Sequence, residues 1–343
     1  MDTGHLLKWK GYFNIWKKSP RFENGIWVMN PFSPVPIRDV FPFNTCKAIL
    51  ASYKYCLPSI RALLKRGGIL EPDILWAAKP GSSVLKKLFP DAKLIMQVVD
   101  YYPAFRGDYI KNIERRDYEA ADHIFLIGHA LLDYVTSELG IDSKKVSILG
   151  QGVSLDNYTN DISCPEELKL ISGPRAVWVG VLDKADADMF EKVAISLHGL
   201  GGSLILIGPS SVWATDLSTR LSNVYLLGSK DPTEVPAYLL HSEIGLMLYD
   251  QNKSSVYYGQ NPLKLYEYAA AGLSILSTPH REFEFLNPPV IEVNSSDEVA
   301  SGINRALAER CGFRKKSLDF AQEHDWAKVY ATARDKILGI IGD

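Results

Sequence analysis

The 343-residue chain reads as an α/β protein made of two Rossmann-like halves. Three observations carry that expectation. Short apolar runs alternate with helical patterns along most of the chain, which argues for parallel sheets. The length suits two cores rather than one. A hydrophobic content of 46% with a net charge of −2 is ordinary for a soluble α/β enzyme.

In the first half, residues 1–150, apolar runs fall at 25–29, 74–78, 93–99, 123–127 and 146–149, with helical patterns at 84–88, 110–121 and 130–139. Residues 151–173, rich in Asn, Asp, Ser, Cys and Pro, read as a linker. The second half, 174–325, repeats the alternation: strands at 176–180, 203–207, 224–227, 244–248, 274–277 and 290–293, and helices at 187–197, 235–240 and 262–272. Residues 297–309 and 326–337 read as closing helices.

The four cysteines, Cys46, Cys56, Cys164 and Cys311, show no C-x-x-C spacing and read as free thiols of a reducing compartment. No apolar run approaches the roughly 20 residues needed to span a bilayer, and no secretion signal opens the chain. A cytoplasmic protein, in solution or on the inner face of the plasma membrane, is expected. Through Arg66, eleven basic residues oppose Asp2, Glu23 and Asp39, a local balance of +8 against about −10 for the remainder. Lys8, Trp9, Lys10, Trp16, Lys17 and Lys18 mix bases with aromatics, and 46–66 reads as a basic amphipathic helix interrupted near Pro58. Such a pattern suits an anionic membrane surface or a lipid-linked acceptor, each nearby base contributing on the order of 1 kcal/mol. A solvated charged face over aromatic core residues accounts for the same letters. Nucleic acid is not expected, because whole-chain charge is near zero and no recognition motif occurs.

The most informative stretch is 261–272, Asn-Pro-Leu-Lys-Leu-Tyr-Glu-Tyr-Ala-Ala-Ala-Gly. Asn261 suits an N-cap and Pro262 a first helical position. The free N–H groups and dipole of that helix start would favour an anion, with Lys264 adding a full charge. Glu267, one turn deeper on the same face, can accept hydrogen bonds from two ribose hydroxyls. Gln260 and Leu263 flank this start. An exposed Lys264–Glu267 ion pair on a capped helix is the alternative.

At these residues the chain resembles the C-terminal half of GT-B nucleotide-sugar glycosyltransferases, in particular bacterial envelope-polysaccharide enzymes of family 4 and of the teichuronic-acid and xanthan glucuronosyltransferase type. The ordered markers are 177–180 with 182–184, 204–209, 223–228, 235–238 and 262–272. The resemblance implies two Rossmann-like domains facing a cleft and a final helix, 326–343, crossing back to the first domain; no cofactor is expected. It also implies donor contacts at Gly180, Lys184, Lys264 and Glu267. Retaining relatives carry a glutamate eight positions before the Glu267 equivalent, where this chain has Gly259, so the anomeric outcome stays open. An arginine usual after the Gly180 loop is absent, leaving Lys184 as its nearest substitute. Relatives also begin with a strand and a glycine-rich loop, and the first 24 residues show neither, so the N-terminal sheet is expected to lack its first strand.

For catalysis, Asp100 ends the run 93–99 at a strand carboxyl end and is the expected base, with Asp108 second. The alternative for Asp100 is a cap on the turn that follows it. The intervening Tyr101, Tyr102 and Phe105 suit stacking on a sugar, and Arg106, Tyr249, Tyr257 and Tyr258 are further candidates to border it. His129 is a minor candidate. Asp186 and Asp188 have metal-motif spacing but read as a helix start, so no metal is expected. The expected activity is sugar transfer, of a uronic acid in one version, from a UDP-type donor to a lipid-linked or polysaccharide acceptor. The alternatives are a nucleotide-sugar 2-epimerase and a non-catalytic nucleotide-sugar-binding partner. Oligomeric state is not legible in the sequence.

Overall fold

The computed structural model describes residues 20–35, 41–43, 45–159, 161–253, 257 and 259–342, with Cys46 and Leu50 described by backbone alone. Lys8, Trp9, Lys10, Trp16, Lys17, Lys18 and Tyr258 lie outside the described residues, as does the segment on which the expected missing first strand would be judged. Two compact units result. One holds the described residues up to Leu126, Leu131–Ile148 and the chain from Ile337; the other holds Ile127–Ala130 and Leu149–Lys336.

In the first unit, β1 (Arg21–Glu23) and β2 (Ile26–Val28) form an antiparallel hairpin. The apolar run at 25–29 therefore pairs locally and not in the parallel sheet. The reason lies in the turn: Asn24 and Gly25 both take positive φ, 50° and 82°, the conformation of a tight hairpin. Next come β3 (Ile74–Ala77), β4 (Lys93–Val98), β5 (His123–Leu126) and β6 (Val146–Ile148), joined in that order as a four-stranded parallel sheet. Leu94, Ile95, Met96, Ile124 and Leu126 bury its centre. The basic segment forms two helices, Cys46–Lys54 and Ile60–Arg66, capped by the Thr45 and Ser59 side chains on either side of Pro58. The pattern at 130–139 is not one α-helix but a 3₁₀ turn, His129–Leu131, followed by a π-helical turn, Tyr134–Glu138.

The second unit contains β7 (Arg175–Val179), β8 (Ser203–Ile207), β9 (Val224–Gly228), β10 (Ile244–Met247), β11 (Ser274–Ser277) and β12 (Val290–Glu292). Their order is β12-β11-β10-β7-β8-β9, and every pair is parallel. The chain winds outward from β7 through β8 to β9, then returns to place β10 on the other flank of β7. That reversal leaves a crevice at the carboxyl ends of β7 and β10, where open α/β sheets bind ligands. The segment expected as a linker packs here: Val153, Leu168 and Ile171 are buried in this core. Besides the four-residue helices Glu166–Lys169 and Phe283–Leu286, two longer helices of this unit escaped the sequence reading, Val212–Arg220 and Arg310–Glu323. The first buries only Ala214 and Leu217, and the second buries Ser317 and Ala321 beside Phe313 and Phe320, so neither shows a strong apolar period. Asp186 caps the helix Ala187–Gly199, as expected from the acidic letters at its start.

Candidate functional site

The crevice at the β7/β10 reversal is shaped first by two glycines. Gly180, directly after β7, has φ 132° and donates its N–H to the Ile207 carbonyl at 2.8 Å. Gly208, directly after β8, has φ 147°, and a Cβ there would fall 2.0 Å from the Gly180 carbonyl oxygen. The indole N–H of Trp178 also donates to that oxygen, at 3.3 Å. The turn is therefore pressed between a neighbouring loop and the core, in a conformation open to glycine. Beyond it, Lys184 is exposed, and its carbonyl accepts from the Asp250 N–H at 3.1 Å and the Tyr257 hydroxyl at 3.3 Å.

On the other flank, the helix after β10 spans Leu263–Ala270 with Pro262 as its N-cap, φ −74° and ψ 126°. Asn261 is not the cap and Pro262 is not the first helical residue. Asn261 is buried; its amide donates to the Ile127 carbonyl at 2.9 Å and its Oδ1 accepts from the Tyr266 hydroxyl at 2.8 Å. A proline cap supplies no side-chain acceptor, so the first N–H groups of this helix keep their capacity for a ligand. Leu263 is exposed at the first helical position, and Gln260 is half-buried, its N–H bonded to the Tyr257 carbonyl at 3.0 Å. Tyr268, deeper in the helix, accepts from the Val179 N–H at 3.0 Å and ties the helix to β7.

Lys264 is half-buried as a residue, with its ammonium end the desolvated part. Its Nζ lies 3.1 Å from the Trp178 ring centroid and 4.8 Å from that of Tyr249. A Cβ on Gly180 would sit 3.2 Å from its Cε. Burial holds its pKa well below the ordinary lysine value; the Lys184 charge adds to this and Glu267 opposes it. Among the described residues, no carboxylate lies within ion-pair distance of Lys264, so the exposed Lys264–Glu267 pair is not formed. Glu267 is half-buried, and burial raises its pKa against the pull of Lys264. Tyr249 is buried between Trp178, Tyr257 and His280 and forms the floor beneath Lys264 rather than an exposed wall. Trp178 and His280 belong to this site and were missed by sequence reasoning. His129 packs elsewhere: its Nδ1 lies 3.0 Å from the buried Glu282 carboxylate, which also accepts from the Ala130 N–H at 2.9 Å.

In the first unit, Asp100 lies just past the carboxyl end of β4 and is half-buried. Tyr101 packs edge-on against Tyr134 at 4.8 Å, and the Tyr102 hydroxyl donates to the Ala78 carbonyl at 2.9 Å. Burial, then the Asp100 charge, pushes the Tyr102 pKa up to about 12. Of the three aromatics expected to stack on a sugar, Phe105 is exposed while both tyrosines are committed to packing. Asp108 is exposed at a helix start and pairs with Lys111 at 2.6 Å, an arrangement typical of a surface ion pair. Beneath the Asp100 loop lies a carboxylate the sequence did not flag. Glu114 is fully buried, accepts from the Tyr118 hydroxyl at 2.8 Å and from that of Tyr134 at 2.5 Å, and has its pKa raised to about 7 by burial.

No family model matches the chain. In sequence it is similar to a Bacillus subtilis (strain 168) protein named as the teichuronic acid biosynthesis glycosyltransferase TuaH, at 28% identity over 225 residues, 60% of this chain. The matched region is 55% of that relative, so the chain spans about half the length of the relative it matches. In structure it is similar to sucrose-phosphate synthase from Thermosynechococcus elongatus, with a TM-score of 0.70 and 14% identity over 94% of this chain and 85% of that one. A UDP-forming α,α-trehalose-phosphate synthase from Burkholderia vietnamiensis gives a TM-score of 0.66 at 14% identity, covering 87% and 77% of the two chains. Anabaena HepE in complex with UDP gives 0.62 at 11%, covering 85% and 81%. With two parallel-sheet units and these likenesses, the chain has the GT-B fold and is similar in sequence to the protein named TuaH.

Proposed function

We propose that this chain transfers a sugar, in one version a uronic acid, from a UDP-linked donor to a lipid-linked or polysaccharide acceptor in envelope or exopolysaccharide synthesis. The observation that carries this reading is the meeting, at one sheet reversal, of two lysines without an ion-paired carboxylate and a half-buried carboxylate with no hydrogen-bond donor of its own among the described residues. A diphosphate satisfies Lys264, Lys184 and the free N–H groups at the start of the helix Leu263–Ala270 together. Glu267 then accepts from the ribose hydroxyls. HepE, at low identity, is recorded with UDP and with UDP-glucose, which supports UDP as the first donor nucleotide to test.

In the reaction, an acceptor hydroxyl oxygen bonds to the anomeric carbon while the bond from that carbon to the phosphate oxygen breaks. The departing UDP is stabilised by the lysines and the helix start. In the inverting version Asp100 takes the acceptor proton; in the retaining version the leaving phosphate takes it and Asp100 orients the acceptor. Two lysines supply the positive charge that a divalent ion would otherwise bring, so transfer is proposed to proceed without metal.

Support for an anionic, lipid-linked acceptor comes from the first unit. A groove of about 550 Å³ lies between the helices Cys46–Lys54 and Val84–Leu88, floored by Ala51, Val84 and Leu88 and rimmed by Lys47, Lys54 and Lys87. Among the described residues none of these lysines has an ion-pair partner. An apolar floor with a cationic rim fits an acyl or prenyl chain ending in phosphate, and no described helix is long and apolar enough to cross a membrane. The chain is thus proposed to work at the cytoplasmic face of the membrane as a peripheral protein.

The test is a calorimetric screen of UDP-, GDP- and dTDP-sugars, followed by incubation of the bound, radiolabelled donor with and without membrane extract and with EDTA. Transfer that needs extract and survives EDTA is expected. Conversion of the donor without extract would instead identify an isomerase, and binding without turnover a non-catalytic partner.

A further inference from the structure

One side chain beside this site is buried with a polar atom left over. His280, three residues beyond β11, is 8% exposed, and its Nε2 has no hydrogen-bond partner among the described residues. The ring is clamped edge-on against Tyr249 at 5.2 Å and tilted against Phe283 at 5.0 Å, and its own carbonyl accepts from the Phe283 N–H at 3.0 Å. These contacts hold the plane of the ring in place. The same Tyr249 ring lies beneath Lys264, so imidazole and ammonium share one aromatic wall. A buried ring nitrogen with nothing to bond weakens the fold, and phenylalanine would fill the space without that penalty. The position is explained if a ligand supplies the missing partner.

We propose that His280 is a donor-binding residue whose Nε2–H donates to an oxygen of the nucleotide sugar's diphosphate. This rests on the donor site argued above and adds a residue from a different strand end to it. The charge logic agrees. Burial and the Lys264 charge push the imidazole pKa down to about 4, so the ring is neutral near pH 7 and offers one N–H. An anion brought between the two groups reverses the Lys264 effect and favours a donated proton at the ring.

The experiment uses the full chain with UDP and uridine as probes, comparing wild type with His280→Phe and His280→Gln by titration calorimetry and thermal denaturation. His280→Phe is expected to melt no lower than wild type yet to bind UDP at least about tenfold more weakly, the loss expected for one charge-assisted hydrogen bond. Uridine, lacking phosphate, should bind both proteins alike, and the glutamine variant, which keeps an N–H donor, should recover part of the UDP affinity. Equal UDP affinity in wild type and His280→Phe overturns the assignment while leaving the donor site standing. So does a lower melting temperature with parallel losses for UDP and uridine, which marks a packing role. A wild-type chain that binds no UDP overturns the donor reading itself.

Discussion

The Lys264 ammonium rests 3.1 Å from the ring centroid of Trp178, with no carboxylate to neutralise it among the described residues. An aromatic face recovers part of the cost of desolvating a cation, on the order of 2 kcal/mol, but leaves its hydrogen-bonding capacity unused. The protein thus keeps an ionisable amine, its charged form disfavoured by burial, in a place where the fold alone would favour methionine. That is the expected signature of a group maintained for a ligand.

Lys264→Met should therefore raise the melting temperature at pH 7 while abolishing measurable UDP binding. The sign with pH follows from the depressed pKa. Between that value and the ordinary lysine value the unfolded chain binds more protons than the folded one, so wild-type stability rises with pH through this window. The methionine variant should lose that rise, as chemical denaturation at pH 7 and pH 10 would reveal. A variant that melts lower and binds UDP normally contradicts the assignment.

Glu267 should act on ribose alone. Glu267→Gln is expected to weaken UDP binding by about 1.5–3 kcal/mol, the range for a hydrogen bond to a charged group. The same substitution should cost little when the probe is a dideoxy analogue lacking both ribose hydroxyls. A double-mutant cycle on protein and ligand measures this coupling; absence of coupling would place the ribose elsewhere.

Gly180→Ala is expected to harm both fold and site. The residue would be forced to keep φ 132°, and its methyl group would meet Lys264 Cε at 3.2 Å. A left-handed, sparsely allowed conformation costs about 1–3 kcal/mol. Displacement of Lys264 should in addition reduce UDP affinity, while Gly199→Ala, at a helix end with open space around it, should leave binding unchanged.

The buried Glu114 predicts a pH response in the first unit. Its folded pKa, about 7, lies above the ordinary value of 4.5, so the folded state holds its proton where the unfolded state has released it. This group's contribution is full below pH 4.5 and is lost as pH rises to about 7. Glu114→Gln should remove that decline and be the more stable protein at pH 8, by on the order of 1–3 kcal/mol. Urea titrations from pH 5 to pH 8 test it; parallel curves for the two proteins would refute it.

Reversal of the groove charges, Lys47→Glu with Lys54→Glu and Lys87→Glu, should eliminate co-sedimentation with vesicles containing phosphatidylglycerol and leave UDP affinity intact. Retention on such vesicles would remove the support that this groove gives to a lipid-linked acceptor.

Much of the architecture follows from local pattern. The runs at 203–207 and 274–277, the short helices Val84–Leu88 and Val235–Leu240, and the start of Ala187–Gly199 were legible because apolar period, β-branching and capping act over a few residues. The helices Val212–Arg220 and Arg310–Glu323 were not, since their buried faces hold only Leu217 in the first and Phe313 and Phe320 in the second, interspersed with Ala and Ser, too few apolar positions to set a period. At the candidate donor site, the pattern of the helix start brought forward Lys264 and Glu267, and the resemblance to GT-B enzymes added Gly180 and Lys184. Sequence reasoning assigned Asn261 to a cap on local preference, whereas partners 5 and 134 residues away, Tyr266 and Ile127, claim that amide. Only the tertiary structure set Trp178 and Tyr249 under the Lys264 ammonium and left His280 Nε2 without a partner. These residues come from the ends of three strands, and their meeting depends on the reversal of strand order, which no local periodicity encodes.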